Sequence, residues 1–209
     1  MGPLWSLPNP QKGLTGLSDN MTPADIAELS RSPALAFRAS FEGTVPAQSE
    51  LYWRALTLDH FDGRRWSQSW GALQKGKPNW STRGPSIDYS IIMQPSGKPW
   101  LFALDVGQVS EANIEQMNDF RLESRRPVTQ IFLYRVQSWP QAVREPVLPD
   151  GVRQRTLQLP AQGDPRSREW ASQLRQEHED PQALVATLLQ HFNREPFGYT
   201  LKPPPVGAD

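Results

Sequence analysis

Apolar positions in this chain recur with two periods, and the change of period divides it. From residue 35 to about residue 160 the period is two, the signature of strands. Leu35, Phe37, Ala39 and Phe41 alternate with Ala36, Arg38, Ser40 and Glu42, as in a strand with one solvated face. Ile87, Tyr89, Ile91 and Met93 alternate the same way. The turn signal Pro95-Ser96-Gly97-Lys98-Pro99 precedes Trp100 to Leu104, a short continuous apolar run that reads as a buried strand. Phe120 to Glu123 and Ile131 to Val136 form a further pair, and Arg155 to Leu159 a last short alternating piece. Residues 105–119 fit a loop or a weak strand. The densest apolar and aromatic stretch is Leu51 to Trp66, LYWRALTLDHFDGRRW, closed by the turn dipeptide Asp62-Gly63. Both of its alternating sets, Leu51/Trp53/Ala55/Thr57 and Tyr52/Arg54/Leu56/Leu58, are largely apolar. That pattern predicts a strand covered on both faces at the middle of the main sheet. The polar stretch after Trp66, with Gly71, Gly76, Pro78, Gly84 and Pro85, has no period and reads as a loop.

Beyond residue 160 the period becomes helical. Asp164-Pro165 and Asp180-Pro181 each offer an acceptor at the cap and proline at the first helical position. Trp170, Ala171 and Leu174 share a face of the first helix. Leu184, Leu188 and Phe192, flanked by Val185 and Leu189, make an apolar stripe on the second. Pro196 to Leu201 reads as a short strand. At the other end, residues 1–20 are rich in proline and glycine and read as an extended arm that Trp5 and Leu7 could anchor; Thr22-Pro23-Ala24-Asp25 opens a helix of one or two turns. The fold expected is mainly β with a C-terminal helical pair. It has an antiparallel β-sandwich (immunoglobulin-like), or a barrel-like variant of it, with an α-helical appendage. The divisions are 1–34 for the arm and short helix, 35–160 for the β domain, and 161–209 for the helical segment.

Charge and composition narrow the function. Lys and Arg total 22 against 22 Asp and Glu, and no basic cluster exceeds a pair, so no electrostatic footprint for nucleic acid or an anionic membrane is present. There is no cysteine among the 209 residues, which excludes disulfides, thiolate metal sites and a cysteine nucleophile within them. No apolar run reaches the roughly 18 residues of a spanning helix, and the start, MGPLWSLPNP, lacks the charged and apolar regions of a signal peptide. The chain reads as a soluble segment.

Candidate chemistry is sparse. Acyl transfer without cysteine would need a serine activated by His60, His178 or His191, and no Gly-x-Ser-x-Gly elbow exists. His60 lies between Asp59 and Asp62, but neighbours on a strand point to opposite faces; a hydrogen-bonded turn residue is the better reading. Glu177-His178-Glu179-Asp180 lacks a metal-ligand spacing and reads as a solvated helix end. Asp62-Gly63 lacks the alternating oxygens of a calcium loop and reads as a turn. The aromatics carry more: Trp66, Trp70 and Trp80 stand in or beside a polar loop with Lys75, Lys77 and Asn79 interleaved. Flat indole faces among hydrogen-bonding side chains can stack on sugar rings, which makes these three the candidate ligand-binding residues. The alternative is that they fold back over the sheet. Trp53 and Trp100 are assigned to the core. No catalytic, cofactor or metal residue is assigned.

Several stretches, in order, resemble the bacterial transglutaminase-like TgpA family. They are LWSLPNP, GLSDNMTPADIAELSRS, LYWRALTLDHFDGRRW, PWLFALDV, the helical pair after LQLP, and the closing EPFGYTLKPPP. The resemblance implies a periplasmic segment of an inner-membrane protein, in which a non-catalytic N-terminal domain precedes a transglutaminase core with a Cys-His-Asp triad. EPFGYTL resembles what lies shortly before the catalytic cysteine of such a core. The implied role is a scaffold, regulator or substrate recruiter for the core of the same polypeptide. The alternative is a module that binds carbohydrate or peptidoglycan. The resemblance implies no cofactor, no nucleic acid and no membrane contact by this segment, within a membrane-anchored parent.

Overall fold

A computed structural model describes residues 20–22, 33–68 and 77–198. Fourteen strands appear among them, most of only two or three residues: β1 (Asn20–Met21), β2 (Phe37–Phe41), β3 (Trp53–Arg54), β4 (His60–Phe61), β5 (Trp66–Ser67), β6 (Trp80–Ser81), β7 (Ile87–Met93), β8 (Trp100–Leu101), β9 (Ala103–Leu104), β10 (Gly107–Gln108), β11 (Ile114–Gln116), β12 (Leu122–Ser124), β13 (Phe132–Ser138) and β14 (Val143–Arg144). Three helices follow, α1 (Asp150–Thr156), α2 (Pro165–Glu177) and α3 (Pro181–Arg194). The fold is therefore mainly β, with several antiparallel sheets and short helices. The long strands make one four-stranded sheet ordered β10-β13-β7-β2; the others pair as β1-β5-β4, β11-β12-β8, β14-β6 and β3-β9.

The alternations at Leu35–Phe41 and Ile87–Met93 became β2 and β7. In β7, Tyr89, Ile91 and Met93 are buried, while Asp88, Ser90 and Ile92 face the other side. In β13, Tyr134, Val136 and Ser138 are buried. Register places Tyr134 opposite Ile91 and Val136 opposite Tyr89, and Phe37, Ala39 and Phe41 of β2 continue the same inner face. Across from it lie Leu101, Phe102, Ala103, Leu104, Ile114 and Leu122. The predicted run Trp100 to Leu104 is buried throughout, split into β8 and β9.

Two tyrosines tie these layers together. The Tyr89 hydroxyl accepts the backbone N–H of Leu104 at 2.7 Å and shares a hydrogen bond with Ser138 Oγ at 2.9 Å. The Tyr134 hydroxyl donates to the carbonyl of Phe102 at 2.9 Å. A phenol buried in an apolar core must find such a partner, so each ring brings a hydrogen bond into the interior along with its hydrophobic area. Aromatic contacts surround the pair: Phe41 and Trp53 lie 5.4 and 5.7 Å from the Tyr89 ring, and Phe37 stacks on Phe102 at 4.3 Å. Gly107 lets β10 approach this layer, since a Cβ there would come within 2.8 Å of Ala103 Cβ and 3.0 Å of Val136 Cγ1.

Three expectations need correction. Leu51 to Trp66 is not a central strand; β7 holds the middle of the main sheet, and the stretch is broken into β3, β4 and β5 on three short ladders. The polar members of the run cause the break. Arg54 and Thr57 turn to carboxylates on other segments, and Tyr52 is exposed. Trp53 does join the aromatic core, as expected. Next, Arg155 to Leu159 does not close the sheet, because its first two residues end α1, which Pro149 precedes and Asp150 opens. Finally, Asp164 does not cap α2: it sits in the left-handed region at φ 50° with its side chain unused for capping. Asp180 caps α3 as expected, accepting from Gln182 N and Ala183 N. The helices pair through Trp170 and His191, 4.8 Å apart, and through His178 and Thr187 at 3.1 Å. On α3, Leu184 and Leu188 are half-buried, while Val185, Leu189 and Phe192 are exposed. Pro196 to Gly198 has no strand pairing; residues 1–19 of the arm, the helix expected after Thr22, and Tyr199 onward lie outside the described residues, while Asn20–Met21 pair with β5.

Burial holds the Tyr89 phenol neutral, pushing its pKa up to about 12, and raises that of Tyr134 as well. The folded state thus keeps these protons more tightly than the unfolded chain. Their stabilisation is complete below about pH 10 and is lost as pH rises towards the folded value. Tyr89→Phe strands the Leu104 N–H and should cost roughly 1–3 kcal/mol in urea denaturation at neutral pH. The same variant should lose stability less steeply above about pH 10; equal stability and an unchanged alkaline slope would show that the hydroxyl carries no load.

Candidate functional site

A cleft of about 800 Å³ opens beside the short ladders. Its walls come from four separated parts of the chain: the 54–66 stretch, Lys77 to Asn79, Asn118 to Phe120, and the segment from Arg144 through α1 to Gln158. Each part is fixed by contacts of its own. Asp62 makes the turn between β4 and β5, its carboxylate accepting the N–H groups of Arg64 at 2.9 Å and Arg65 at 2.7 Å. Those two backbone hydrogen bonds, from Arg65 and then Arg64, lower its pKa below the ordinary carboxylate value. The turn expected at Asp62-Gly63 is thus formed, with Gly63 at φ 106°. It sets Trp66 directly opposite Phe61, and the rings stack at 4.9 Å and 25°.

Charged side chains organise the rest. Asp105 Oδ1 accepts from Arg54 Nη2 at 3.0 Å and Arg144 Nη1 at 2.6 Å, so two guanidiniums share one oxygen. Arg155 of α1 reaches Asp59 at 3.4 Å. Asp119 accepts the Thr57 hydroxyl and lies 3.2 Å from Arg121, whose other partner is Glu123 at 3.3 Å. Arg121 is only 1% exposed, a buried cation between two carboxylates beneath the cleft wall.

Backbone strain gathers at the same place. Among the described residues other than glycine, positive φ occurs at Asp105, Phe120, Glu145 and Asp164. Phe120 and Glu145 line the cleft, and Asp105 holds the two arginines that do. Left-handed backbone at a residue with a Cβ costs on the order of 1 kcal/mol or more, and it persists where surrounding contacts over-determine it.

The three candidate tryptophans fare differently. Trp66 lines the cleft and is 43% exposed, one ring face covered by Phe61. Trp80 is half-buried; its indole N–H donates to Gln116 Oε1 at 3.3 Å and its ring lies 5.3 Å from Trp139. Its neighbour Asn79 lines the cleft. Trp70 lies outside the described residues. His60 is exposed on β4, opposite Ser67 by register, and is not part of the cleft wall. The cations and acids of the cleft escaped sequence reasoning because their partners lie far apart in the chain. The one local signal was the mixture of Arg54 and Thr57 into an apolar run.

Comparison with known proteins gives this architecture a family. Residues 1–145 match the family described as the TgpA N-terminal domain. The chain belongs to the TgpA family. It is 57% identical over 210 residues to the protein-glutamine gamma-glutamyltransferase of Pseudomonas aeruginosa, covering 100% of this chain and 31% of that relative. The chain thus spans about a third of the relative's length. The crystal structure of the periplasmic domain of Pseudomonas aeruginosa TgpA superposes with a TM-score of 0.88 at 56% identity, over 93% of this chain and 68% of that one. The same domain bound to ethylmercury gives 0.88 at 57% identity. As a TgpA segment the chain is a periplasmic domain, and no helix among the described residues is long and apolar enough to cross a membrane.

Arg121→Ala should leave Asp119 and Glu123 without their shared cation beneath the cleft, at a cost of roughly 3–5 kcal/mol in urea denaturation. A loss below about 1 kcal/mol, the size of an exposed pair, would contradict the structural role given to this network.

Proposed function

We propose that this chain is a non-catalytic periplasmic domain of a membrane-anchored transglutaminase-like protein, serving the catalytic core of the same polypeptide as scaffold, regulator or substrate recruiter. The observation that carries the reading is full-length 57% identity to a γ-glutamyltransferase of which this chain represents 31%. The lack of cysteine agrees, because a transglutaminase-type thioester needs that nucleophile. The division into an arm (1–34), a sandwich of immunoglobulin-like type (35–160) and a helical segment leading to the core (161–209) belongs to the same proposal. It is supported by the four-stranded sheet facing β8 and β9, and by the exposed Val185, Leu189 and Phe192 on α3.

A second reading rests on Trp66. Its partly exposed indole in a mainly apolar cleft that also carries Asn79, Arg144 and Glu145 is the kind of surface that receives a sugar ring, so the domain would bind carbohydrate or peptidoglycan and bring the core to it.

Incorporation of a fluorescent amine into a glutamine-bearing protein tests the first reading. The chain alone should show none, the full-length protein should be active, and deleting residues 37–144 from it should lower the rate while the remaining core keeps its fold by circular dichroism. Transfer by the chain alone, or an undiminished rate after the deletion, would contradict it.

A further inference from the structure

We propose that the cleft recognises an acidic sugar, taking its ring on the partly exposed indole of Trp66 and its carboxylate on Arg144 backed by Arg54. This rests on the second reading above and adds the chemical class of the ligand. Asp59 has Arg155, and Arg121 lies between Asp119 and Glu123. Asp105 serves two guanidiniums through a single oxygen, so Arg54 and Arg144 share one carboxylate. Arg54 is anchored, its side chain 13% exposed and bonded also to the Asp119 carbonyl at 3.3 Å. Arg144 lines the cleft, is 44% exposed and is bonded through Nη1 to Asp105, so its guanidinium is held and still accessible. A guanidinium held at one edge and open at the other is suited to a planar carboxylate.

The rest of the wall fits hydroxyls and a pyranose better than a purely anionic ligand. Lys77 is an exposed second cation at the wall, while Glu145 and Asn79 offer acceptors of the kind that sugar hydroxyls seek. Trp66 supplies a flat ring already braced from behind by Phe61. Stacking on a braced ring costs little side-chain entropy, and the strained residues Asp105, Phe120 and Glu145 hold the polar groups in place before any ligand arrives. An amino sugar that carries a carboxylate on a lactyl ether presents both groups at once and makes a suitable probe.

The test is calorimetric titration of the chain with two disaccharides of N-acetylated amino sugars. One carries the lactyl carboxylate (N-acetylglucosaminyl-N-acetylmuramic acid) and one does not (N,N′-diacetylchitobiose). The acidic disaccharide should bind about tenfold or more tightly than the neutral one. Arg144→Gln should abolish that preference while the domain keeps its fold by circular dichroism, and Trp66→Ala should weaken both sugars. If Trp66→Ala fails to fold, Trp66→Leu replaces it, and perturbation of Trp66 fluorescence by the bound sugar gives an independent readout. Equal binding of the two sugars, or a preference that survives Arg144→Gln, overturns the acidic-sugar proposal and leaves the carbohydrate reading standing. Binding of neither overturns both.

Discussion

Two buried phenols hold this domain together. Tyr89 and Tyr134 stand on adjacent strands of the one extended sheet, and their hydroxyls reach the backbone of Phe102 and Leu104 on the opposite side of the core. Strands of two residues cannot satisfy their own backbone through long ladders, so the segment from Trp100 to Leu104 depends on such side-chain partners. Once it is fixed, β9 can pair with β3 at Trp53 and Arg54, and Asp105 follows immediately with its φ of 32°. The cleft is thus seated on the core through a chain of short contacts.

The polar network extends that order to the surface. Arg54 comes from β3, Arg144 from β14, and Asp105 from the end of β9; one carboxylate brings the three segments together. Arg121 does the same for Asp119 and Glu123 beneath the wall. Buried ion pairs contribute little net stability compared with apolar packing, but they penalise any arrangement that separates the partners. Short irregular ladders need that kind of specification, since hydrophobic patterning alone would leave their register loose.

How much of this was legible from sequence follows from the range of the interactions. Alternation in Leu35–Phe41 and Ile87–Met93 located β2 and β7, because each reports a local face on a single core. Asp180-Pro181 gave the start of α3, a signal contained in four residues. Leu51 to Trp66 misled, because an apolar run with Arg54 and Thr57 inside it serves a site as well as a sheet. Arg155 read as a strand because a two-residue alternation cannot be told from the end of a short helix. The turn at Asp62-Gly63 and the candidacy of Trp66 were visible, being local; the Asp105 bridge was not, joining positions 54, 105 and 144 with no pattern in between. The ordered resemblance of segments across the chain carried the family, which neither period nor composition could supply.

The central claim is that the cleft is a binding site assembled in advance, with Trp66 and Arg144 as its two reading groups. A crystal structure of the domain soaked with the acidic disaccharide tests it most directly. The account predicts the sugar ring parallel to Trp66, its carboxylate within hydrogen-bond distance of the Arg144 guanidinium, and the Asp105 bridge to Arg54 unchanged. A sugar seated elsewhere on the domain, or a cleft whose walls rearrange to admit it, would contradict the account.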